Sequence, residues 1–457
     1  MKDPGKPFFL LSQKAQRQSE VSQTFAKLVG KSEKLYDKIL QFLRTLFEHT
    51  NNTHYCTLRV NLLMEFHYSD VRYITSLDPL YNFALTLDVS MRECNISNMI
   101  VKNIDPKRMK KLQLHLDELK KGEELGDIAM ALADPYAIDF LAQSIMRLLN
   151  NILRNETLPR ENNNLHFLMR MLNLGLHAHE IIVNQKFLEP KFNVELITVF
   201  LPMLIGFMAD DQVRMVHHKL PADNREEAIL IIEHAPPSDT FKQFIQNDRL
   251  AAVLSIYYCC QVASKKDRKA IVRMFGTLSK AAGGLAFLDM YLHVLISSLI
   301  QLGDEFGDDE LCATVFDETL LPALAHSSTV LHLMKLIWHI HSYLSQDWLN
   351  SIMSKLDEFF AKPPNQESLM QYKELQEKIH KTNNDFVENP DSNVSKQDDK
   401  SISYSLSSSS TPSNVGSESY RFAPSTPSYA PSMTPFYSEQ RAGAFTPLSP
   451  STYQSRH

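Results

Sequence analysis

The fold of this chain is most constrained by residues 34–64, which predict two amphipathic helices joined by a short polar link. In the first helix the apolar residues recur at the spacing of one helical face: Leu35, Ile39, Phe42, Leu43 and Leu46. The second helix repeats the pattern with Tyr55, Leu58, Leu62 and Phe66. The link Thr50-Asn51-Asn52-Thr53 suits the end of one helix and the cap of the next. Because a helical hairpin cannot bury its apolar faces alone, it must stack on further hairpins.

Composition favours a chain built from helices. The 457 residues include 13 glycines, whereas an average content of roughly 7% would give about 32. Tight hairpins and nucleotide-binding loops need glycine, so β-rich and dinucleotide-binding folds are disfavoured. The net charge of −6 is that of a mildly acidic protein and not of a globally basic nucleic-acid binder. Five scattered cysteines without CxxC spacing indicate a reducing compartment.

Helical spacing recurs along most of the chain, and no alternating pattern with hairpin turns interrupts it. The segments with helical length and spacing lie near 20–48, 54–67, 107–120, 136–153, 165–183, 193–208, 240–263, 267–281, 285–302, 308–325 and 328–360. Asp105-Pro106 and Asp134-Pro135 predict helix starts, because the amides of the first helical turn are unpaired, so proline costs nothing there and an acid just before it can cap them. We therefore predict an all-α fold, a HEAT/armadillo-like stack of helical pairs over residues 19–382.

Two apolar stretches, 194–208 and 285–302, are long enough to raise the possibility of a membrane span. The first is interrupted by Glu195 and Pro202, and the second contains Asp289 and His293. Both fall short of about 20 uninterrupted apolar residues, so they predict buried core helices and no membrane partner. No secretory signal is visible near the N-terminus.

The two ends of the chain differ in composition from this helical region. Residues 1–18 predict a partly disordered extension, and residues 383–457 a disordered tail rich in serine, threonine and proline, which lacks the apolar residues to form a core. The tail carries five Ser/Thr-Pro sites that a proline-directed kinase could modify: Thr411, Thr426, Thr434, Thr446 and Ser449. The alternative is an inert linker.

The sequence contains no motif for catalysis, for a cofactor or for a metal. The histidine pairs His177/His179, His217/His218 and His339/His341 have spacings that point the rings to diverging faces of a helix. Cys259-Cys260 lies in an apolar run, where cysteine behaves as a small hydrophobe. The acidic residues of 304–310 predict helix capping and loop solvation. We therefore expect no enzyme and no small-molecule substrate.

Two basic clusters are candidates for contact with RNA or phosphate. The first contains Lys107, Arg108, Lys110 and Lys111, with Lys120 and Lys121 further along. The second contains Lys265, Lys266, Arg268 and Lys269, with Arg273 one turn later. Aromatic residues that could stack bases are not interleaved with either cluster. The alternatives are a solvated helix face and a weak, sequence-independent contact with a nucleic-acid backbone.

Specific segments resemble the metazoan family of negative elongation factor B, in the same order and at compatible intervals over residues 8–360. They are LYDKILQFLRTLF (35–47), HYCTLR (54–59), DPYAI (134–138), ETLPR (156–160), VELITVFLPML (194–204), KLPA (219–222), LAF (285–287), LH (292–293) and DEF (304–306). None of these segments is a catalytic motif.

This resemblance implies a nuclear, non-enzymatic subunit with HEAT-like helical pairs. Members of the family belong to a four-subunit complex that holds RNA polymerase II in promoter-proximal pausing. Within that complex they bridge the C subunit and the RNA-binding E subunit, and they have some RNA contact of their own. The family has a long helical portion before the point that matches Phe8, whereas only Met1 to Lys6 and Pro7 precede it here.

Three further expectations concern partners, modification and rival functions. A partner helix from the E subunit should lie in a groove between roughly residues 194 and 349. The elongation kinase that relieves pausing should phosphorylate Thr426 and Thr434. Two rival functions are a cytoplasmic armadillo-like adaptor that binds helical peptides, and a membrane-associated helical protein. Nuclear residence and co-purification with RNA polymerase II would separate the first rival from the pausing subunit, and pelleting with membranes at high salt would identify the second.

Overall fold

The computed structural model of the protein describes residues 20–50, 52–69, 78–95, 103–122, 124–178, 188–217, 237–279, 292–325, 327–362 and 366–388. Within these ranges all regular structure is helical, which confirms the all-α prediction. The first eight α-helices are α1 (Glu20–Val29), α2 (Glu33–Thr50), α3 (His54–Tyr68), α4 (Tyr81–Asn95), α5 (Pro106–Lys121), α6 (Leu125–Leu132), α7 (Pro135–Asn155) and α8 (Asn163–His177). The next nine are α9 (Leu201–His217), α10 (Asp239–Asn247), α11 (Arg249–Ala263), α12 (Arg268–Ser279), α13 (Leu292–Leu302), α14 (Asp309–Cys312), α15 (Ser327–Ile340), α16 (Gln346–Phe360) and α17 (Gln366–Glu388).

The helices stack mainly on their near neighbours in the chain, as a HEAT-like array of helical pairs requires. Helix α2 packs on α1 and α3, α3 packs on α4 and α6, and α7 packs on α6, α8, α9 and α11. Further along, α11 packs on α12 and α13, and α13 packs on α15. The apolar residues between them form one continuous buried core. Burial of these faces is what makes each short helix stable.

The predicted helix starts are confirmed by their caps. The Asp105 carboxylate accepts a hydrogen bond from the Lys107 amide at 2.7 Å, and the Asp134 carboxylate accepts one from the Tyr136 amide at 3.1 Å. In both cases proline occupies the first helical position, where no amide is needed. An acid followed by proline therefore predicted the first residue of α5 and of α7.

Three helices lie outside the segments predicted from apolar spacing, namely α4, α6 and α17. Helix α6 is nearly uniform in apolar residues, so it shows no helical periodicity to detect. Three predicted segments are each divided into two helices. The divisions fall at the Gly30 turn, at Asp248, whose carboxylate caps α11, and at the turn before Ser345, whose hydroxyl caps α16.

The first hairpin forms as predicted, but its faces are oriented differently. In α2 the fully buried residues are Tyr36, Leu43 and Phe47, whereas Leu35 is 40% and Phe42 is 55% exposed. Of the five residues assigned to the interior, two are thus exposed, Ile39 and Leu46 are half-buried, and Leu43 is buried. Conversely, α3 is buried almost all round and not only on one face. It runs through the middle of the packed helices, so several sides of it are covered.

The apolar stretch 194–208 forms a helix with one buried face, as predicted, although its opposite face is open to solvent. A π-helical turn, Leu196–Phe200, leads directly into α9. Over Leu196–Val216 this continuous helix is long and apolar enough to cross a membrane. Of an apolar stretch of 18 residues within it, 39% is buried inside the protein. A single helix of this kind is weak support for a membrane span, because a core helix passes the same test. The described part of 285–302 is α13, most of whose apolar residues are buried.

Helix α17 closes the described array with a polar outer face. Its buried residues include Tyr372, Leu375 and Ile379, while Lys373, Glu374 and Glu377 point to solvent. The predicted boundary near residue 383 falls within this helix. The extension 1–18 and residues 389–457 of the tail, with its five Ser/Thr-Pro sites, lie outside the described residues.

Candidate functional site

The first basic cluster occupies the start of α5, on the side of the helix that faces solvent. Met109, Leu112, Leu116 and Leu119 form the buried face of this helix. Lys107, Lys110 and Lys111 lie on the other side and are exposed. Because the buried residues fix which side of the helix faces the core, the ammonium groups of the three lysines point to solvent, all within two helical turns.

Lys107 stands where the helix itself disfavours a cation, because the amino end of a helix carries a partial positive charge that acts within the first turn. Lys107, Lys110 and Lys111 form no ion pair with any residue that the structure describes. Arg108 is different, because its guanidinium is paired with Glu93. Three exposed lysines without an ion pair to a described residue therefore lie on one side of α5.

The second basic cluster is largely neutralised by the acidic residues that follow α13. Lys266 Nζ lies 2.7 Å from Asp304 Oδ1, and the Arg268 guanidinium lies 3.6 Å from Glu305 and 3.3 Å from Asp308. The hydrogen bond raises the pKa of Lys266 and lowers the pKa of Asp304. The acidic residues therefore pair with the basic cluster, and Asp308 also caps α14 through the Leu311 amide at 3.0 Å.

Lys265 and Lys269 of the second cluster are not placed like the three lysines of α5. Lys265 is exposed, and Lys269 is partly buried and engaged in a further interaction. Arg273 is partly buried, with its guanidinium 2.6 Å from Asp211 and 4.5 Å from the centre of the Phe207 ring. Of the two clusters, the first thus presents several unpaired cations on one face.

Arg273 belongs to a buried polar network that ties α9 to α11 and α12. Asp211 accepts hydrogen bonds from Arg273 and from the Tyr258 hydroxyl, and Arg214 pairs with Asp267. Burial, and then the charge of Asp211, raise the pKa of Tyr258. The network is closed on itself, so its role is to fix the three helices in register.

A second buried network has no counterpart among the sequence predictions. Arg59 of α3 is 2% exposed, and its guanidinium lies 2.7 Å from Asp127 and 3.7 Å from Asp78. The Tyr36 hydroxyl donates to Asp78 at 2.5 Å. Arg59 sits inside the segment HYCTLR without any local pattern that marks it as buried. To predict its burial from the sequence, one would have to know that α6 packs on α3, and apolar spacing did not reveal α6.

On their solvent side, α9 and the π-helical turn before it present an apolar stripe, which we call the exposed stripe of α9. Its members follow one another at intervals of three, four or seven residues and are Val199, Pro202, Gly206, Val213 and Val216. Val216 is 56% exposed. A Cβ placed on Gly206 would meet no atom within 4 Å. Apolar spacing of three and four residues is the pattern by which one helix packs on another.

A surface cavity of about 240 Å³ lies beside the carboxyl end of α5. Glu189 at its edge lies 2.9 Å from Lys120 Nζ and 3.0 Å from the Arg170 guanidinium. Although burial alone would raise it, the pKa of Glu189 is lowered by these two cations. The cavity is lined by Arg170, Asn173, Leu174, Glu189, Pro190, Lys191 and Phe192.

The described residues contain no group of three or more histidine, cysteine or acidic side chains that could hold a metal ion. His341 is buried and His339 exposed, so this pair diverges as expected, whereas His179 and His218 lie outside the described residues. Cys259 is fully buried. Burial raises the pKa of Cys260 to about 12. Cys259 is therefore a packing group, and the partly buried Cys260 keeps its thiol protonated near neutral pH.

Comparison with known proteins identifies a family to which this sequence is similar. The family model described as Cofactor of BRCA1 (COBRA1) matches residues 2–280. Negative elongation factor B of Drosophila melanogaster is 43% identical over 376 residues, which are 81% of this chain and 62% of that protein. The proteins of the same name from Mus musculus and Homo sapiens are 40% and 41% identical over 353 residues, or 77% of this chain and 59% of each relative. The chain thus spans about three fifths of the length of these relatives.

Proposed function

The chain belongs to the Cofactor of BRCA1 (COBRA1) family, and we propose that it is a non-enzymatic scaffold subunit of the negative elongation factor complex in the nucleus. In this role it bridges the C and E subunits and supports promoter-proximal pausing of RNA polymerase II. Its relatives of 40–43% identity bear the name negative elongation factor B. A stack of helices with apolar surface left uncovered is suited to holding other proteins.

The exposed stripe of α9 is the observation that carries this proposal. It lies within the region 194–349, where a partner helix is expected. The five positions from Val199 to Val216 extend over about 26 Å at 1.5 Å per residue, the length of a partner helix of five turns. Because the buried face of α9 is packed into the core, the stripe is available to a partner without a rearrangement of the helix.

Glutamate substitutions on the stripe test whether the E subunit binds there. We expect Val213→Glu with Val216→Glu to abolish capture of recombinant E subunit in a pull-down, since two carboxylates would be buried against apolar side chains. Both positions are exposed in the free protein, so circular dichroism should show unchanged helix content. Met370→Glu, at another exposed apolar position, is the matched control. Full capture by the double variant would contradict this placement.

We also propose that the first basic cluster makes a weak contact with the RNA backbone. Each lost phosphate contact lowers the slope of log affinity against log salt by about 0.7 for a single strand. Replacing Lys107, Lys110 and Lys111 with glutamine should therefore reduce the slope by about 2. Fluorescence anisotropy with labelled single-stranded RNA measures this slope, with Lys373→Gln as control. An unchanged slope would assign these lysines to a solvated face.

The Ser/Thr-Pro sites of the tail provide a proposed means of regulation. We propose that the kinase that relieves pausing phosphorylates Thr426 and Thr434, each phosphate adding about −1.5 to −2 charges. Incubation of the full chain with that kinase, followed by mass spectrometry, should detect both phosphothreonines. Their absence, with phosphorylation of a known substrate in the same reaction, would count against this regulation.

A further inference from the structure

Helix α2 presents two apolar faces, of which one is used by the fold. The used face contains Tyr36, Leu43 and Phe47, which are buried against α1 and α3. At 100° per residue, the second face is centred about 100° away. It consists of Leu35, Ile39, Phe42 and Leu46, which we call the outer stripe of α2.

The outer stripe is aligned in the way that helix pairs require. Its residues are spaced by four, three and four positions, so they fall within about 60° of one another and extend over about 17 Å. Leu35 is 40% and Phe42 is 55% exposed, whereas Ile39 and Leu46 are half-buried and Ile39 also packs against the core. Single exposed apolar residues are common on protein surfaces, but aligned apolar residues that form a continuous patch are typical of an interface.

The polar residues beside the outer stripe are positive and not negative. On the edge that faces solvent, Lys34 and Lys38 are exposed and form no ion pair with a described residue. Glu33, Asp37 and Glu48 lie on the far side of the helix, and Glu48 is paired with Arg44 at 3.2 Å. Lys34 also adjoins the amino end of α2, whose partial charge has the same sign. The edge of this stripe therefore attracts carboxylates.

We propose that the outer stripe of α2 binds an amphipathic helix of another protein that has apolar residues at intervals of three and four and a row of carboxylates along one edge. The apolar residues pack into the stripe, and the carboxylates pair with Lys34 and Lys38. This surface is separate from the α9 stripe, so the protein has a second docking face.

Two other occupants fit the chemistry less well. A second copy of this chain would offer no carboxylate along the same edge of its α2, so Lys34 and Lys38 would stay unpaired. An anionic membrane is matched by a wide apolar face and many cations. The outer stripe is four residues long with two cations beside it, and the adjoining face of α2 is locked into the core.

A pair of designed helical peptides tests this binding in the full-length chain. Both have leucine at the heptad core positions, and the flanking positions are glutamate in one and lysine in the other. In fluorescence anisotropy the glutamate peptide should bind at least roughly tenfold more tightly. Leu35→Ser with Phe42→Ser should weaken its binding by roughly tenfold or more. Lys34→Glu with Lys38→Glu should reverse the preference between the two peptides.

A control variant and three contrary outcomes distinguish peptide binding from binding to a membrane or to a second copy of the chain. Met370→Ser, which removes another exposed apolar side chain, should leave peptide binding unchanged. The proposal is wrong if the serine variants bind the glutamate peptide as the parent does. It is also wrong if the parent chain binds phosphatidylserine vesicles through this stripe, or forms a dimer that the serine variants dissociate. Loss of E-subunit capture through α9 leaves peptide binding intact, so the two docking faces are tested independently.

Discussion

Arg59 offers a sharp test of how the first helices are held together. Its guanidinium is 2% exposed and joins α3 to Asp127 at 2.7 Å and to Asp78 at 3.7 Å. Arg59→Met keeps most of the side-chain volume but leaves the buried carboxylate of Asp78 without its cation. Removing one partner of a buried ion pair costs about 3–5 kcal/mol.

The structure places this variant at the lower end of that range. Asp78 keeps two hydrogen bonds, from the Tyr36 hydroxyl at 2.5 Å and from the Leu80 amide at 2.9 Å. Asp127 is partly exposed, so water can solvate it when the guanidinium is gone. We therefore expect Arg59→Met to lower the free energy of unfolding by about 3 kcal/mol.

Urea unfolding followed by far-ultraviolet circular dichroism measures this loss, and hydrogen exchange reports whether α2 and α3 open first. Arg44→Met is the matched control. It breaks an exposed ion pair with Glu48 at 3.2 Å, which should cost less than about 0.5 kcal/mol. Equal unfolding midpoints for the two variants would refute the assignment of Arg59 as the structural link between these helices.

Three other contacts give predictions of the same kind. Gly175→Ala should destabilise the protein by about 1–3 kcal/mol in urea unfolding, because a Cβ there would lie 2.6 Å from the backbone oxygen of Leu132; Gly206→Ala, with open space around it, should not. Asp105→Ala should cost about 1 kcal/mol through loss of the α5 cap, measured in the same way. Glu189, whose pKa is lowered by its two cationic partners, contributes stability that is present above its ordinary pKa of 4.5 and is lost as the pH falls through its folded value. Glu189→Gln should therefore flatten the acidic side of a plot of melting temperature against pH, and an identical plot for parent and variant would contradict this.

Local sequence rules predicted the parts of the fold that local chemistry decides. Helical spacing identified the all-α class, and an acid before proline located the starts of α5 and α7. The same rules failed where burial depends on distant elements. The spacing of Leu35 and Phe42 shows that they share a face, but it cannot show whether another helix covers that face.

In the same way, tertiary contacts distinguish the two basic clusters from each other. Both are runs of lysine and arginine, and nothing within either run separates them. Lys266 meets Asp304, 38 residues away, whereas Lys107 has no such neighbour among the described residues. The family resemblance carried the functional interpretation further than the residue patterns, since the exposed surfaces of a helical array have no sequence motif of their own.

Helices α2 and α17 differ in the kind of surface that each exposes to solvent. The outer side of α17 carries Lys373, Glu374 and Glu377, which prefer water, around the exposed Met370. At α2, by contrast, the outer stripe leaves Leu35 and Phe42 exposed without a polar residue between them. A further helical layer should therefore remove more apolar surface from water at α2 than at α17.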